Sequence, residues 1–236
     1  MIMDKDCNQI KVIAFDVFGT VVDWHGSVKR KIEIMHPDIN GADFARAWRA
    51  GYQPAMAEVM ETGEWVILDV LHRRILDRVL PDFGLADMSE SERQDLNQIW
   101  HRLTPWPDSV EGMTRLKAKY QLCSLSNGNT TLLNDMAQNA GLPWTRILGA
   151  ENFERYKPHH DTYLGVVREF NLEPGQVMLA AAHHNDLEHA RQCGLHTAYI
   201  ERHFEYGEDQ PKPATPWERN DLHATNIVNL AEQLGC

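Results

Sequence analysis

The chain has 236 residues, 43% of them apolar, and a formal charge of −11, which is length enough for one large domain or for a core with an insert. The negative charge repels nucleic acid, no apolar run is long enough to span a bilayer, and the opening MIMDKDCNQI lacks the apolar segment of a secretion signal. The expectation is a cytoplasmic protein without membrane or nucleic-acid partners, in which any anionic substrate is held by local cations or helix N-termini.

Cys7, Cys123, Cys193 and Cys236 form no C-x-x-C pair. Cys123 and Cys193 fall in apolar segments and read as reduced core residues.

Ile10 and the run Val12, Ile13, Ala14, Phe15, broken only by Lys11, predict a strand buried on both faces of a parallel sheet. The run stops at Asp16; Gly19 permits a tight turn and Thr20 offers a hydroxyl. From 27 to 103 apolar residues recur at helical spacing instead. Phe44, Ala47, Trp48 and Gly51 mark one helix. Trp65, Leu68, Val70, Leu71, Ile75, Leu76 and Val79 mark a second, punctuated by Pro81 and Gly84. A third runs over 89–103, opened by a Ser89/Glu92 capping box. The proline-rich stretch 104–109 is the expected return hinge.

Beyond it the spacing predicts a helix over 110–119 and a strand over 121–125 that ends in Ser126-Asn127-Gly128. A helix over 132–140 stops at Gly141, and a short strand follows at Ile147-Leu148. Pro158 suits the start of a helix reaching Phe170. Strands at 177–182 and 196–200 flank a helix opened by Asp186 and ended at Gly194. Residues 204–217 read as a surface loop and 226–234 as a closing helix. This alternation predicts an α/β fold with a doubly wound parallel sheet. Its core is 1–23 and 105–236, with a helical cap inserted at 24–104.

Polar groups recur at the strand tips: Asp16 and Thr20, then Ser126 and Asn127, Lys157 in its loop, and Asp186. In a parallel sheet these tips share one edge, where open α/β sheets place ligands. A carboxylate buried there resists ionisation unless a cation offsets desolvation, so Lys157 is expected to keep Asp16 anionic.

The motif D-x-F-G-T at Asp16 to Thr20, with the three later stretches in the same order, resembles the haloacid dehalogenase superfamily. The resemblance covers most of the core. It implies that Asp16 is a nucleophile, and it makes the helical stretch a cap domain. Phosphatases of that superfamily carry a second acid two residues after the nucleophile. Here that residue is Phe18, which cannot transfer a proton and resembles the 2-haloacid dehalogenase branch. The phosphatases also place two acids four residues apart to hold magnesium; Asp186 aligns with the second, but the first falls on Ala182. Hard cations need several oxygen ligands, so neither metal nor cofactor is expected. The doublets His159-His160 and His183-His184 lack the further ligands a transition metal needs.

The chain also departs from the dehalogenase pattern. Ala181, Ala182 and His183 stand where that pattern has Ser-Ser-Asn, so His183 is the candidate to replace the Asn hydrogen bond. In the cap, Trp48-Arg49 resembles the pair whose arginine enters the dehalogenase pocket. Tyr163 stands at the spacing of an active-site tyrosine, and Trp24, Trp100 and Trp106 are candidates for an apolar wall.

The expected reaction is hydrolytic dehalogenation of a short 2-haloacid through a covalent ester. Asp16, Lys157 and Asp186 are the expected catalytic residues. Thr20, Arg49, Ser126, Asn127, Tyr163 and His183 are expected to bind substrate, with Thr20, Ser126 and Asn127 also holding the Asp16 oxygens, and the expected assembly is a homodimer. The alternatives are a phosphatase of the same superfamily, a hydrolase opening a small strained ring in an amino acid, and a non-catalytic binding protein that keeps the fold.

Overall fold

The computed structural model describes residues 9–236; Cys7 lies outside them. Five strands form the main sheet: β1 (Val12–Phe15), β4 (Gln121–Ser124), β5 (Val177–Ala181), β6 (His196–Ile200) and β7 (Leu222–Ala224). Their order is β4-β1-β5-β6-β7, every neighbour parallel. All four residues of β1 and all five of β5 are buried, because each strand has partners on both sides and helices on both faces.

Alternation along β1 divides the core. Ile13 and Phe15 face one apolar cluster, shared with the helical insert. Val12 and Ala14 face another, with Tyr163, Val166, Leu187 and Ala190. The first cluster is bounded by α6 (Ser109–Lys117), α7 (Thr130–Ala140) and α10 (Ile227–Gln233). The second is covered by α8 (His160–Glu169) and α9 (His184–Gln192). After β1 the chain goes to β4 on one side, then crosses back to β5 on the other, so the strand order reverses between β1 and β5. That reversal is where a doubly wound sheet opens a crevice at its carboxyl edge.

The insert leaves and returns through a two-stranded antiparallel ladder, β2 (Val22–Asp23) and β3 (Thr104–Pro105), in which Val22 pairs with Pro105 and Asp23 with Thr104. Between them run α1 (Trp24–Met35), α2 (Gly41–Ala50), α3 (Tyr52–Thr62), α4 (Leu68–Val79) and α5 (Glu90–Asn97). Asp23 caps α1 through Gly26 N–H at 2.7 Å, and the Ser89/Glu92 capping box opens α5.

Several boundaries differ from the expected ones. The helix expected from Trp65 starts at Leu68, because Gly63, in the left-handed region at φ 74°, ends α3 just before. The helix expected over 89–103 gives way to a 3-10 turn at Gln98–Arg102. Ile147-Leu148 is no strand; its neighbourhood makes only single bridges, Cys123 with Arg146 and Ser126 with Gly149. Pro158 precedes α8 rather than opening it, and His159 caps that helix. Cys123 is buried as expected, whereas Cys193 is only half-buried; both are free thiols. No helix among the described residues is long and apolar enough to cross a membrane.

A part-buried ionic network centred on His101 helps tie the insert to the core. His101 Nε2 meets Asp69 Oδ1 at 3.0 Å and Nδ1 meets Asp135 Oδ2, on α7, at 2.7 Å. Asn129 adds a bond to Asp69 at 2.9 Å. Burial favours the neutral ring, but the bonds to Asp69 and Asp135 outweigh it and raise the His101 pKa. A raised histidine pKa contributes stability below the unfolded value, near 6.5, and loses it as pH rises through the folded value. Native protein should therefore be more stable than H101A at pH 5.5, by an amount on the order of 1 kcal/mol greater than at pH 9. Denaturant titrations at the two pH values check this; an equal difference at both would leave His101 uncharged.

Candidate active site

At the crevice between β1 and β5 the chain collects its charged side chains. Asp16 follows β1 directly, and its backbone N–H bonds Ala180 O at 3.1 Å. Lys157 Nζ donates to Asp16 Oδ1 at 3.0 Å and to Asp186 Oδ2 at 2.5 Å. Thr20 Oγ1 donates to Asp16 Oδ2 at 2.7 Å and accepts from Ala182 N–H at 2.9 Å. His183 Nδ1 meets the same Oδ2 at 3.0 Å. Asp186, in the first turn of α9, accepts from the Tyr163 hydroxyl at 2.7 Å and gains from the helix dipole.

Asp16, Lys157 and Asp186 are all at least nine-tenths buried. Burial alone would raise the Asp16 pKa; the charge of Lys157 and the His183 bond reverse that and hold the carboxyl well below the usual carboxylate range. Burial alone would discharge Lys157; Asp16 and Asp186 together keep its pKa above the ordinary value. Burial and the Asp186 charge push the Tyr163 hydroxyl up, so it stays a donor.

These groups open into a cleft of about 450 Å³ between the sheet edge and the insert. Phe18, Trp24, Arg49, Tyr52, Asn127, Tyr163, His183 and Tyr206 line it beside the three charged residues. Arg49 lies 3.8 Å from the centre of the Tyr52 ring and within 6 Å of those of Trp24 and Phe18, a cation–π cage. Its Nη1 is buried without a hydrogen-bond partner, so an incoming anion would relieve a desolvated donor. Phe18 is edge-on to Tyr52, His72 and Trp100. It seals the floor with carbon where a proton donor would otherwise stand.

Two of the expected substrate-binding residues lie outside the cleft lining. Ser126 is buried; its hydroxyl accepts from Gly128 N–H at 3.2 Å and shapes the turn. Thr20 is also outside the lining, and its hydroxyl holds an Asp16 oxygen. Asn127 reaches the cleft, with Oδ1 accepting from Lys157 N–H at 2.7 Å. Of the three tryptophans, only Trp24 lines the cleft. Trp100 packs behind Phe18, and Trp106 donates to Gly19 O at 3.0 Å. Among the described residues, His159, His160 and Asp161 have donor atoms within 4.8 Å of one another; His159 already caps α8.

The expected surface loop at 204–217 carries residues that the sequence did not single out. Glu205 is 1% exposed. Its Oε1 accepts from His183 Nε2 at 2.7 Å and its Oε2 from Lys212 Nζ at 3.0 Å. Lys212 also donates to Ala182 O at 2.6 Å. Gly19 sits at φ 86°, and a Cβ there would lie 2.3 Å from Glu205 Oε1, so glycine is needed for the turn and for the acid behind it.

Residues 10–194 match the model of the haloacid dehalogenase-like hydrolases. The chain belongs to that family. A crystal structure of a defluorinating L-2-haloacid dehalogenase is 44% identical, with 96% of each chain covered and a TM-score of 0.90. A second L-2-haloacid dehalogenase structure is 43% identical, covering 95% of this chain and 98% of its own, also at 0.90. The (S)-2-haloacid dehalogenase of Xanthobacter autotrophicus is 28% identical over 195 residues, 82% of this chain and 76% of that protein.

His183 touches the central carboxylate, so H183A should lower turnover at least tenfold, about 1.4 kcal/mol of barrier. Lys212 still neutralises Glu205 in that variant, and thermal unfolding should stay cooperative. Unchanged steady-state kinetics would reduce His183 to a packing residue.

Proposed function

We propose that the chain is a 2-haloacid dehalogenase that works through an ester of Asp16. The observation that carries the reading is Asp16 itself: an ionised carboxylate, paired with Lys157 and opening into the cleft, with Phe18 beside it. A halide leaves as a stable anion and needs no proton, so an apolar residue at that place costs this reaction nothing. Alcohol leaving groups do need one. The names of the similar proteins support the same reading.

In the first step an Asp16 oxygen attacks the carbon bearing halogen from the face opposite the leaving group. The C–O bond forms as the C–X bond breaks, and halide departs with the electron pair. Arg49 offers its unpartnered Nη1 to the carboxylate or the departing halide. In the second step water attacks the side-chain carbonyl of the ester. Asp186, oriented by Tyr163 and Lys157, positions that water. The insert acts as a cap that keeps the cleft dry enough for these polar contacts to count.

One displacement at carbon and none afterwards means net inversion. (S)-2-chloropropionate should give (R)-lactate with chloride, and chloro-, bromo- and fluoroacetate should give glycolate. D16N should lose at least a thousandfold, about 4 kcal/mol of barrier. Phe18 and Ala182 leave no magnesium ligand set beside Asp16, so halide release should survive exhaustive chelation. A halide electrode and chiral chromatography check all three. Activity lost on chelation and restored by magnesium would contradict the proposal, as would lactate of retained configuration.

A further inference from the structure

The two oxygens of Asp16 sit in different surroundings. Oδ1 meets Lys157 at 3.0 Å. Oδ2 meets two donors, Thr20 Oγ1 at 2.7 Å and His183 Nδ1 at 3.0 Å. We propose that Oδ1 is the oxygen that attacks carbon, that Oδ2 becomes the oxyanion when the ester is hydrolysed, and that Glu205 is a positioning residue holding His183 as a donor to it. This rests on Asp16 being the nucleophile.

Alkylating Oδ1 leaves Oδ2 as the ester carbonyl oxygen. When water adds to the carbonyl carbon, the C=O electron pair moves onto Oδ2. Donors at 2.7–3.1 Å from that developing charge stabilise it, and Thr20 and His183 are already there. Collapse breaks the bond between the side-chain carbon and Oδ1. The hydroxyacid leaves with Oδ1, one proton of the water passes to that oxygen, and the other passes to solvent.

His183 can serve only if Nδ1 carries hydrogen. Its two ring nitrogens face Asp16 Oδ2 and Glu205 Oε1. Ionised carboxylates only accept, so both nitrogens carry hydrogen and the ring is an imidazolium. An imidazolium is a donor and cannot be the base for the water. Glu205 is suited to hold it there. It is buried, it faces Nε2 at 2.7 Å, and its other oxygen is fixed by Lys212, with Trp24 Nε1 3.5 Å from Oε1. Burial pulls the His183 pKa down, but Glu205 and then Asp16 bring it up to about 9.

The dependence on Glu205 changes between the two steps. In the free enzyme two carboxylates touch His183. Esterification removes the Asp16 charge, and among the described residues Glu205 is then the remaining carboxylate in contact with the ring. Lys157 across Asp16, Lys212 behind Glu205 and the adjacent His184 all act against protonation. Loss of Glu205 should therefore spare halide release and slow hydrolysis, increasingly as pH rises.

The test is a single turnover of (S)-2-chloropropionate by excess enzyme, quenched over time, following chloride and the mass of the Asp16 peptide. E205Q should release its first equivalent of chloride within threefold of the native rate, which also shows that the variant is folded. The Asp16 ester should then decay at least tenfold more slowly than native at pH 8. That gap should close toward pH 6, with the alkaline limb of hydrolysis moved down by at least one unit. E205D keeps the charge and should retain the native limb. Native-rate ester decay in E205Q, or equal slowing of both steps at every pH, would overturn the assignment. If E205Q yields no folded protein, an E205D and native ester decay that stays flat beyond pH 10 overturns it too. Heavy oxygen from solvent passing straight into the hydroxyacid, with Asp16 unlabelled, would instead remove Asp16 as nucleophile, and this assignment with it.

Discussion

Asp16 is a charged carboxylate in a place that disfavours charge, and the arrangement around it exists to keep it so. Desolvation of one buried ion costs several kcal/mol. Lys157 offsets that cost for Asp16, and Asp186 offsets it in turn for Lys157. The three form an alternating row, acid, base, acid, in which removing the lysine would strand two buried carboxylates at once. His183 and Glu205 extend the row on the other side, again with alternating sign, and Lys212 closes it. A chain with a net charge of −11 thus lines its cleft with Arg49, Lys157 and His183.

The fold makes this row possible by bringing distant segments to one edge. Asp16 extends β1, His183 follows β5 by two residues, and these strands are hydrogen-bonded neighbours with Phe15 opposite Ala180. The charged ends therefore face each other across the point where strand order reverses. Thr20 ties the two tips directly, since its hydroxyl bridges Asp16 and Ala182. Arg202, two residues past β6, steadies the same turn, donating to Thr20 O at 2.8 Å while forming a paired bridge to Asp108. The insert supplies what the sheet edge lacks, an aromatic lining and one caged cation, and it remains tied down through the β2–β3 ladder and His101.

Much of this was legible in the sequence because it depends on short-range pattern. A buried run ending in Asp16, the glycine turn, and polar groups after each later strand are local features. Parallel strands then force those groups together. The resemblance to the dehalogenases fixed the direction of the reading, and Phe18 and Ala182 separated it from the phosphatases. What was missed depends on long-range partners. Glu205 and Lys212 sit in a stretch rich in proline, glycine and charge, which reads as solvent-facing; the acid is buried only because His183 and Trp24 arrive from elsewhere in the chain. The glycine at position 19 is the one local hint, since it clears room for that acid. Ser126 shows the converse. Its hydroxyl accepts from the backbone of its own turn, which only the geometry reveals. α3 escaped notice because Pro54 reads as a helix breaker, although the first turn of a helix tolerates proline. β7 is a three-residue edge strand with a histidine at its centre, too short and polar to stand out.

The central claim is that Asp16 bonds covalently to the substrate carbon rather than activating water. One turnover with excess enzyme in heavy-oxygen water separates the two most directly. If Asp16 is the nucleophile, the new hydroxyl carries ordinary oxygen and peptide mass spectrometry finds the label in the Asp16 side chain. Label appearing directly in the hydroxyacid, with Asp16 unlabelled, would contradict the account.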